Sequence, residues 1–333
     1  MLPTGRPLRA GVIGVGYLGR FHAQKYHLIE NVQLVGVADA DEGSANRVAE
    51  ALGVRSFTDY HDLLSRVDVV SVATPTSTHY QIGASCLAAG VHLLLEKPMT
   101  VRLEEADALV ALARRHGRIL QVGHLKRFHP AVLALRQSNI LKEPRFIEST
   151  RFAPFKSRSL DVDVVLDLMI HDVDLILSFV GSEIVEVDAV GTKVVTEHTD
   201  VANARLKFQN GCVANVSASR VARSATRRLR LFQKHAFVSL DFAKNDLVVL
   251  RKAEGTMQLD GVEVPAMEEF AIPVAKHDTL EVEIRAFCRA AAASEPPLVS
   301  GQDGKKALEV IIAIQESIAR CSHQDPPSLV AVA

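Results

Sequence analysis

LRAGVIGVGYLGRFHAQKYHLIENVQLVGVAD, residues 8–39, decides the fold. An apolar run (8–14) ends in glycine, a helical stretch (19–29) follows, and VQLVGVAD (32–39) reads as a second strand. Between the first strand and the helix stands GVGYLG (14–19), a match to G-x-G-x-x-G. Alone the pattern is weak. Inside a strand–helix–strand unit it is a dinucleotide-binding fingerprint. Gly14 permits the tight turn, Gly16 lets the backbone approach a pyrophosphate, and Gly19 allows close packing of the helix. The phosphates then meet the free N–H groups and positive end of that helix. Tyr17 and Leu18 lie between these glycines and count among the expected cofactor contacts. Asp39, 20 residues after Gly19, is placed to accept the ribose hydroxyls of an adenosine and to repel a 2′-phosphate. Neither Ala40 nor Asp41 offers the positive charge that NADP wants, so NAD is expected over NADP.

The same alternation continues to residue 123. DVVSVAT (68–74), VHLLLEK (91–97) and RILQVG (118–123) read as strands, with helices at 41–52, 77–90 and 103–117. Strands separated by helices demand crossovers, and therefore a parallel sheet covered on both faces. After about residue 125 strand-like runs come in close succession, at 146–153, 184–195, 201–210, 212–220, 227–232 and 236–242. One helix interrupts them (164–181) and two close the chain (279–293 and 303–321). The fold class is α/β: an N-terminal Rossmann doubly wound parallel sheet, then a C-terminal α+β domain with a largely antiparallel, mixed open sheet. The expected division is 1–124 for NAD binding, 125–323 for substrate binding and oligomerisation, and 324–333 as a loose tail.

The composition agrees. The chain's 333 residues suit roughly two domains. A formal net charge of −1 argues against a nucleic-acid binder and against a polybasic membrane anchor. No stretch approaches the roughly 20 apolar residues of a membrane span, and MLPTGRPLRA has no signal-peptide core. Cys86, Cys212, Cys288 and Cys321 are scattered singly, with no zinc or redox spacing. They read as buried thiols in a reducing, cytoplasmic compartment, and no metal is expected.

Two constellations carry the chemistry. Glu96-Lys97-Pro98 ends a parallel strand, where the proline stops the strand and is a candidate for a cis peptide. In DLMIHDVD (167–174), Asp167 and His171 are four apart on one helical face, Asp174 continues the stripe, and Asp172 points elsewhere. Thr74-Pro75 ends the third clear strand, where ligands of a doubly wound sheet sit. His79 is grouped with these cofactor contacts, although a structural role is favoured for it and for His22. Ser77 and Thr78 suit a helix cap.

In that order, GVGYLGRFH, VADAD, ATPTSTHY, EKPMT and DLMIHDVD resemble the glucose–fructose oxidoreductase/inositol dehydrogenase/rhizopine-catabolism (Gfo/Idh/MocA) family over nearly the whole chain. The resemblance implies a Rossmann domain, and a C-terminal sheet that often pairs subunits into homodimers or homotetramers. It places Lys97, Asp167 and His171 at the catalytic positions and Glu96 beside the cofactor. Many members carry a glycine pair before the aspartate, where this chain has DVDVV (161–165).

An imidazole suits the proton transfer of alcohol oxidation. An ammonium beside the reacting oxygen stabilises alkoxide character. Asp167 holds a substrate hydroxyl or orients the histidine. The segment VGHLKRFHPAV (122–132) looks most like the nucleotide-sugar branch, whose members oxidise the 3-hydroxyl of UDP-N-acetylglucosamine or a related uronate. Arg127 is a candidate for a substrate phosphate or carboxylate, or else pairs with an acidic neighbour. Arg220, Arg223, Arg227, Arg228 and Arg230 form either a diphosphate funnel or a solvated sheet face, the latter favoured. Arg151 and Arg158 are weaker candidates at the pocket mouth. A free-polyol dehydrogenase and a non-catalytic NAD-bound sensor are the alternatives. Retention of a general base argues against the sensor.

Overall fold

The computed structural model describes residues 6–156 and 162–321, which fall into two compact units. Unit one comprises Met1–His129 and Lys276–Leu308, and unit two Pro130–Ala275 and Glu309–Ala333. Arg158 and the tail from 324 lie outside the described residues.

Unit one is built on β1 (Leu8–Ile13), β2 (Val32–Ala38), β3 (Arg55–Phe57), β4 (Val69–Val72), β5 (His92–Leu95) and β6 (Leu120–Val122). They form one parallel sheet in the order β3-β2-β1-β4-β5-β6. The continuous apolar strand centres are explained by burial from both faces: Val12, Val37, Val70 and Leu94 are fully enclosed. The crossovers are α1 (Gly19–Leu28), α2 (Glu42–Leu52), α3 (Tyr60–Leu64), α4 (Thr76–Ala88) and α5 (Leu103–His116). β3 and α3 were not expected from the sequence.

A linear division of the chain also misses α8 (Thr279–Ala293), which belongs to unit one. Its stripe Ile284, Phe287, Cys288 and Ala291 follows the helical period and packs with Ala10, Tyr26 and Val37. Burying each large side chain of that stripe contributes about 1.5–3 kcal/mol, enough to dictate which unit the helix joins.

Unit two holds α6 (Pro130–Gln137), α7 (Ile170–Val180) and an eight-stranded sheet ordered β14-β13-β12-β11-β7-β10-β9-β8. The strands are β7 (Phe146–Phe152), β8 (Ile184–Thr192), β9 (Val201–Phe208), β10 (Val213–Ser219), β11 (Thr226–Phe232), β12 (Ala236–Asp241), β13 (Asp246–Leu259) and β14 (Val262–Ala271). Only β7 and β10 pair in parallel, so the sheet is mixed and mostly antiparallel. Alternation is strict in β9, where Ala202, Ala204, Leu206 and Phe208 are buried and Asn203 and Arg205 are exposed. The final helix α9 (Gly301–Cys321) begins in unit one and ends in unit two.

Among the described residues no helix is long and apolar enough to cross a membrane. Three of the four thiols are buried as expected, and burial pushes Cys212 up to about 11 and Cys288 to about 12. Cys321 is the exception. It lies exposed at the last turn of α9.

Candidate active site

The three fingerprint glycines divide the work as their spacing predicts. Gly14 has φ +83°, and a β-carbon there meets the Ala73 carbonyl at 2.9 Å. Only glycine takes that turn at no steric cost. Gly19 lies so close to the turn that a β-carbon falls 1.7 Å from the Gly14 carbonyl oxygen. A β-carbon on Gly16, by contrast, has nothing within 4 Å. That open place at the start of α1 leaves room for a pyrophosphate to meet backbone N–H groups. Beside it Tyr17 and Leu18 stand 65% and 48% exposed, an unusual placement for large apolar side chains and one that suits a ligand edge.

A substitution pair tests this division. Gly19→Ala is expected to lower stability by about 1–3 kcal/mol, because the backbone has to shift. Gly16→Ala is expected to keep the wild-type melting temperature yet weaken NAD binding by about tenfold, or ~1.4 kcal/mol. Calorimetric titration and thermal unfolding separate the two; equal behaviour of the variants contradicts the assignment.

Asp39 follows β2. Its carboxylate accepts the Val15 N–H (2.7 Å) and the Asp41 N–H (2.9 Å), which fixes it beside the glycine turn. A carboxylate has about four acceptor positions, so room remains for ribose hydroxyls. Asp41 caps α2 by accepting the Ser44 N–H at 2.9 Å.

The sheet order reverses between β1 and β4, and ligands of such sheets bind at the carboxyl ends of the strands there. Gly14, Thr74 and Glu96 end three adjacent strands. His79 is buried, and its two ring nitrogens lie 2.9 Å from the Thr74 and Pro98 carbonyls, tying the end of β4 to the Lys97–Pro98 turn. Burial pushes its imidazole below the usual histidine range despite the pull of those carbonyls. It therefore clamps the end of β4 to the Lys97–Pro98 turn. The Lys97–Pro98 peptide is cis. Ser77 and Thr78 lie inside α4 rather than capping it, and the Thr78 hydroxyl donates back to the Pro75 carbonyl at 2.8 Å.

Glu96 shows what the sequence hid. Its carboxylate lies 3.0 Å from Nε2 of His22, which is fully buried in α1, and it accepts the Lys97 N–H at 3.2 Å. It rests on Gly123, where a β-carbon is 3.0 Å from the carboxyl group. Burial raises the acid, but the His22 hydrogen bond and the His22 and Lys97 charges outweigh it and hold the carboxyl below its ordinary range. His22 thus couples the cofactor helix to the segment that carries Lys97. Its partner is 74 residues away in sequence, and no local pattern signals it.

In unit two the helix bearing the second constellation opens as a π turn, Val165–Met169, before α7. The sequence reading expected one regular helix. Such turns are rare and frequent at functional sites. Asp167 and His171 keep partial exposure, whereas Asp174 is fully buried. Asp172 does point elsewhere: it receives Nε (2.5 Å) and Nη2 (2.9 Å) of Arg151, both residues being buried. Arg151 is therefore a structural ion-pair partner and not a pocket-mouth residue.

The sequence pattern described as "Oxidoreductase family, NAD-binding Rossmann fold" matches residues 8–124, and "GFO/IDH/MocA C-terminal domain" matches 143–238. The chain is 45% identical over 317 residues to UDP-N-acetylglucosamine 3-dehydrogenase of Acidithiobacillus ferrooxidans, covering 94% of this chain and 99% of that protein. The chain belongs to the Gfo/Idh/MocA oxidoreductase family. The solved structure of the A. ferrooxidans enzyme superposes with a TM-score of 0.89 at 44% identity, covering 95% of this chain and 99% of that one. Myo-inositol 2-dehydrogenase of Thermotoga maritima is 28% identical over 328 residues, covering 93% of this chain and 96% of that protein.

As a Gfo/Idh/MocA member the protein is an NAD-binding dehydrogenase, and the glycine cradle and Asp39 fit that coenzyme. Arg127 is buried and faces Asp303 at 3.7 Å within unit one. The basic run does not form one funnel. Arg220 is buried and donates to the Val162 carbonyl, Arg228 pairs with Asp241, and Arg230 with Glu148. Arg223 and Arg227 are exposed.

Proposed function

We propose that this enzyme oxidises the 3-hydroxyl of UDP-N-acetylglucosamine, or of a closely related nucleotide sugar, to the ketone. One observation carries the reading: the 45% identity, across 99% of its length, to a protein named for that reaction. NAD supplies the hydride acceptor. His171 takes the hydroxyl proton as general base. Lys97 brings a positive charge to the oxygen as alkoxide character develops. Asp167 orients the hydroxyl or the imidazole. The hydride leaves the sugar carbon as the proton leaves its oxygen, so the sugar loses two electrons and the base gains one proton. Glu96 and His22 serve by fixing the backbone at Lys97.

The scattered thiols support work in a reducing cytoplasm. The second sheet leaves Arg205, Glu148 and Arg230 on a face that is at least partly open, which supports a homo-oligomer formed through it. Inositol dehydrogenases at lower identity supply the competing free-polyol reading.

The test is absorbance in the reduced-nicotinamide band with NAD and each candidate sugar, with a carbonyl trap to draw the oxidation forward. Reduction with UDP-N-acetylglucosamine, inhibited competitively by UDP, is the expected result. Turnover of myo-inositol without turnover of any nucleotide sugar overturns the substrate. No reduction with any sugar overturns catalysis and favours the sensor.

A further inference from the structure

β12 pairs with β13 only as far as Arg251, and beyond Lys252 the strand has β14 alone as a neighbour. The remainder is a two-stranded ribbon that closes through Asp260-Gly261, with φ +51° and +81°. Its strands extend past the sheet by roughly 25 Å. Every residue from 254 to 263 is exposed, so among the described residues nothing covers either face of the ribbon. Met257, Leu259, Val262 and Met267 are 43–61% exposed. An isolated two-stranded ribbon is at best marginal in water, and exposed apolar residues on it ask for a cover. The ribbon also lies outside the stretch matched by the C-terminal family pattern, which ends at residue 238.

Charge identifies the cover. Residues 253–271 contain five acidic side chains (Glu254, Asp260, Glu263, Glu268 and Glu269) and no basic one, and of the five Glu268 pairs at 2.9 Å with Arg251 at the ribbon's base. At the ribbon's base, where the Lys252 N–H donates to the His235 carbonyl, lies a cavity of about 480 Å³. Lys142, Arg145, Lys234 and His235 line it, with Glu143 the one acid among them, and Ile140 and Ala236 supply apolar wall. One unit of the molecule thus carries an acidic, apolar-tipped arm and a basic, partly apolar socket. A two-fold axis brings arm to socket twice, since an isologous contact pairs each patch with its complement.

We propose that the β13–β14 ribbon is an assembly arm, and that its occupant is the Lys142/Arg145/Lys234/His235 socket of a second copy of this chain. The proposal is independent of the substrate and distinct from pairing through the open sheet face.

Sedimentation velocity on the full-length protein over a range of concentrations tests it. In one variant residues 253–266 are replaced by Asn-Gly, joining Lys252 to Met267. This variant is expected to lose one level of assembly, falling from tetramer to dimer or from dimer to monomer, with NAD affinity unchanged as the control for folding. Lys142→Glu with Lys234→Glu is expected to weaken assembly by about tenfold or more. Adding Glu254→Lys and Glu263→Lys to that pair is expected to restore it. If the shortened variant fails to fold, the charge-reversal series decides. A wild type monomeric at every concentration, a shortened variant of wild-type mass, or charge reversals without effect each overturns the proposal.

Discussion

Lys97→Ala is expected to bind NAD with near wild-type affinity and to turn over about a hundred- to a thousandfold more slowly, the loss seen when one oxyanion-stabilising donor is removed. The side chain stands partly exposed at the end of β5, so its removal opens no core cavity. The glycine turn and Asp39, the expected dinucleotide contacts, are untouched. His171→Ala is expected to cost a similar factor, because general-base catalysis contributes about 10²–10⁴. It is also expected to erase the limb of the pH–rate profile that belongs to the base, with partial rescue by added imidazole. Calorimetry suits the binding measurement, since the chain has no tryptophan to report on the coenzyme by fluorescence transfer. Turnover within about threefold of wild type in either variant would falsify that residue's role.

The second large effect lies one residue beyond His171. Arg151 on β7 and Asp172 on α7 form a buried, two-point ion pair, with side chains 5% and 2% exposed. Removing one partner strands the other charge away from water, at a cost of about 3–5 kcal/mol. Arg151→Met is therefore expected to move the urea midpoint sharply downward. The double variant Arg151→Met/Asp172→Leu is expected to recover most of the loss, because an apolar pair of similar volume leaves no charge to solvate. Asp172 adjoins His171, so the single variant is also expected to lower kcat more than it raises KM. Urea unfolding and steady-state kinetics on the four corners of the cycle measure both. A single-variant cost below about 1 kcal/mol contradicts the argument.

The parallel sheet was legible because each strand is apolar throughout and each crossover has helical texture. The glycine fingerprint was legible because three separate steric demands fall at fixed spacing. Features that depend on distant partners were not. Glu96 and His22 meet only after the sheet forms. Arg151 carries no local mark of its carboxylate across the core. β3 is three residues long, none of them buried, and offers no periodic signal. The outer part of β13 and β14 escaped because a ribbon exposed on both faces has no inside to alternate with. Asp260-Gly261 was the available clue, being the dipeptide that two-residue hairpin turns prefer. The π turn at Val165–Met169 leaves a composition indistinguishable from regular helix.

The docking of α8 into unit one has a consequence for how the polypeptide is made. The nucleotide-gripping half is discontinuous along the chain. Its interior stays open until residues as late as Ala291 have left the ribosome, long after the glycine turn and all six strands have emerged. Amino-to-carboxyl synthesis therefore builds the intervening half while the first still exposes the apolar seam that Ile284 and Phe287 eventually seal. A nascent chain stalled within the second sheet carries a complete coenzyme signature on a body whose core is still unclosed.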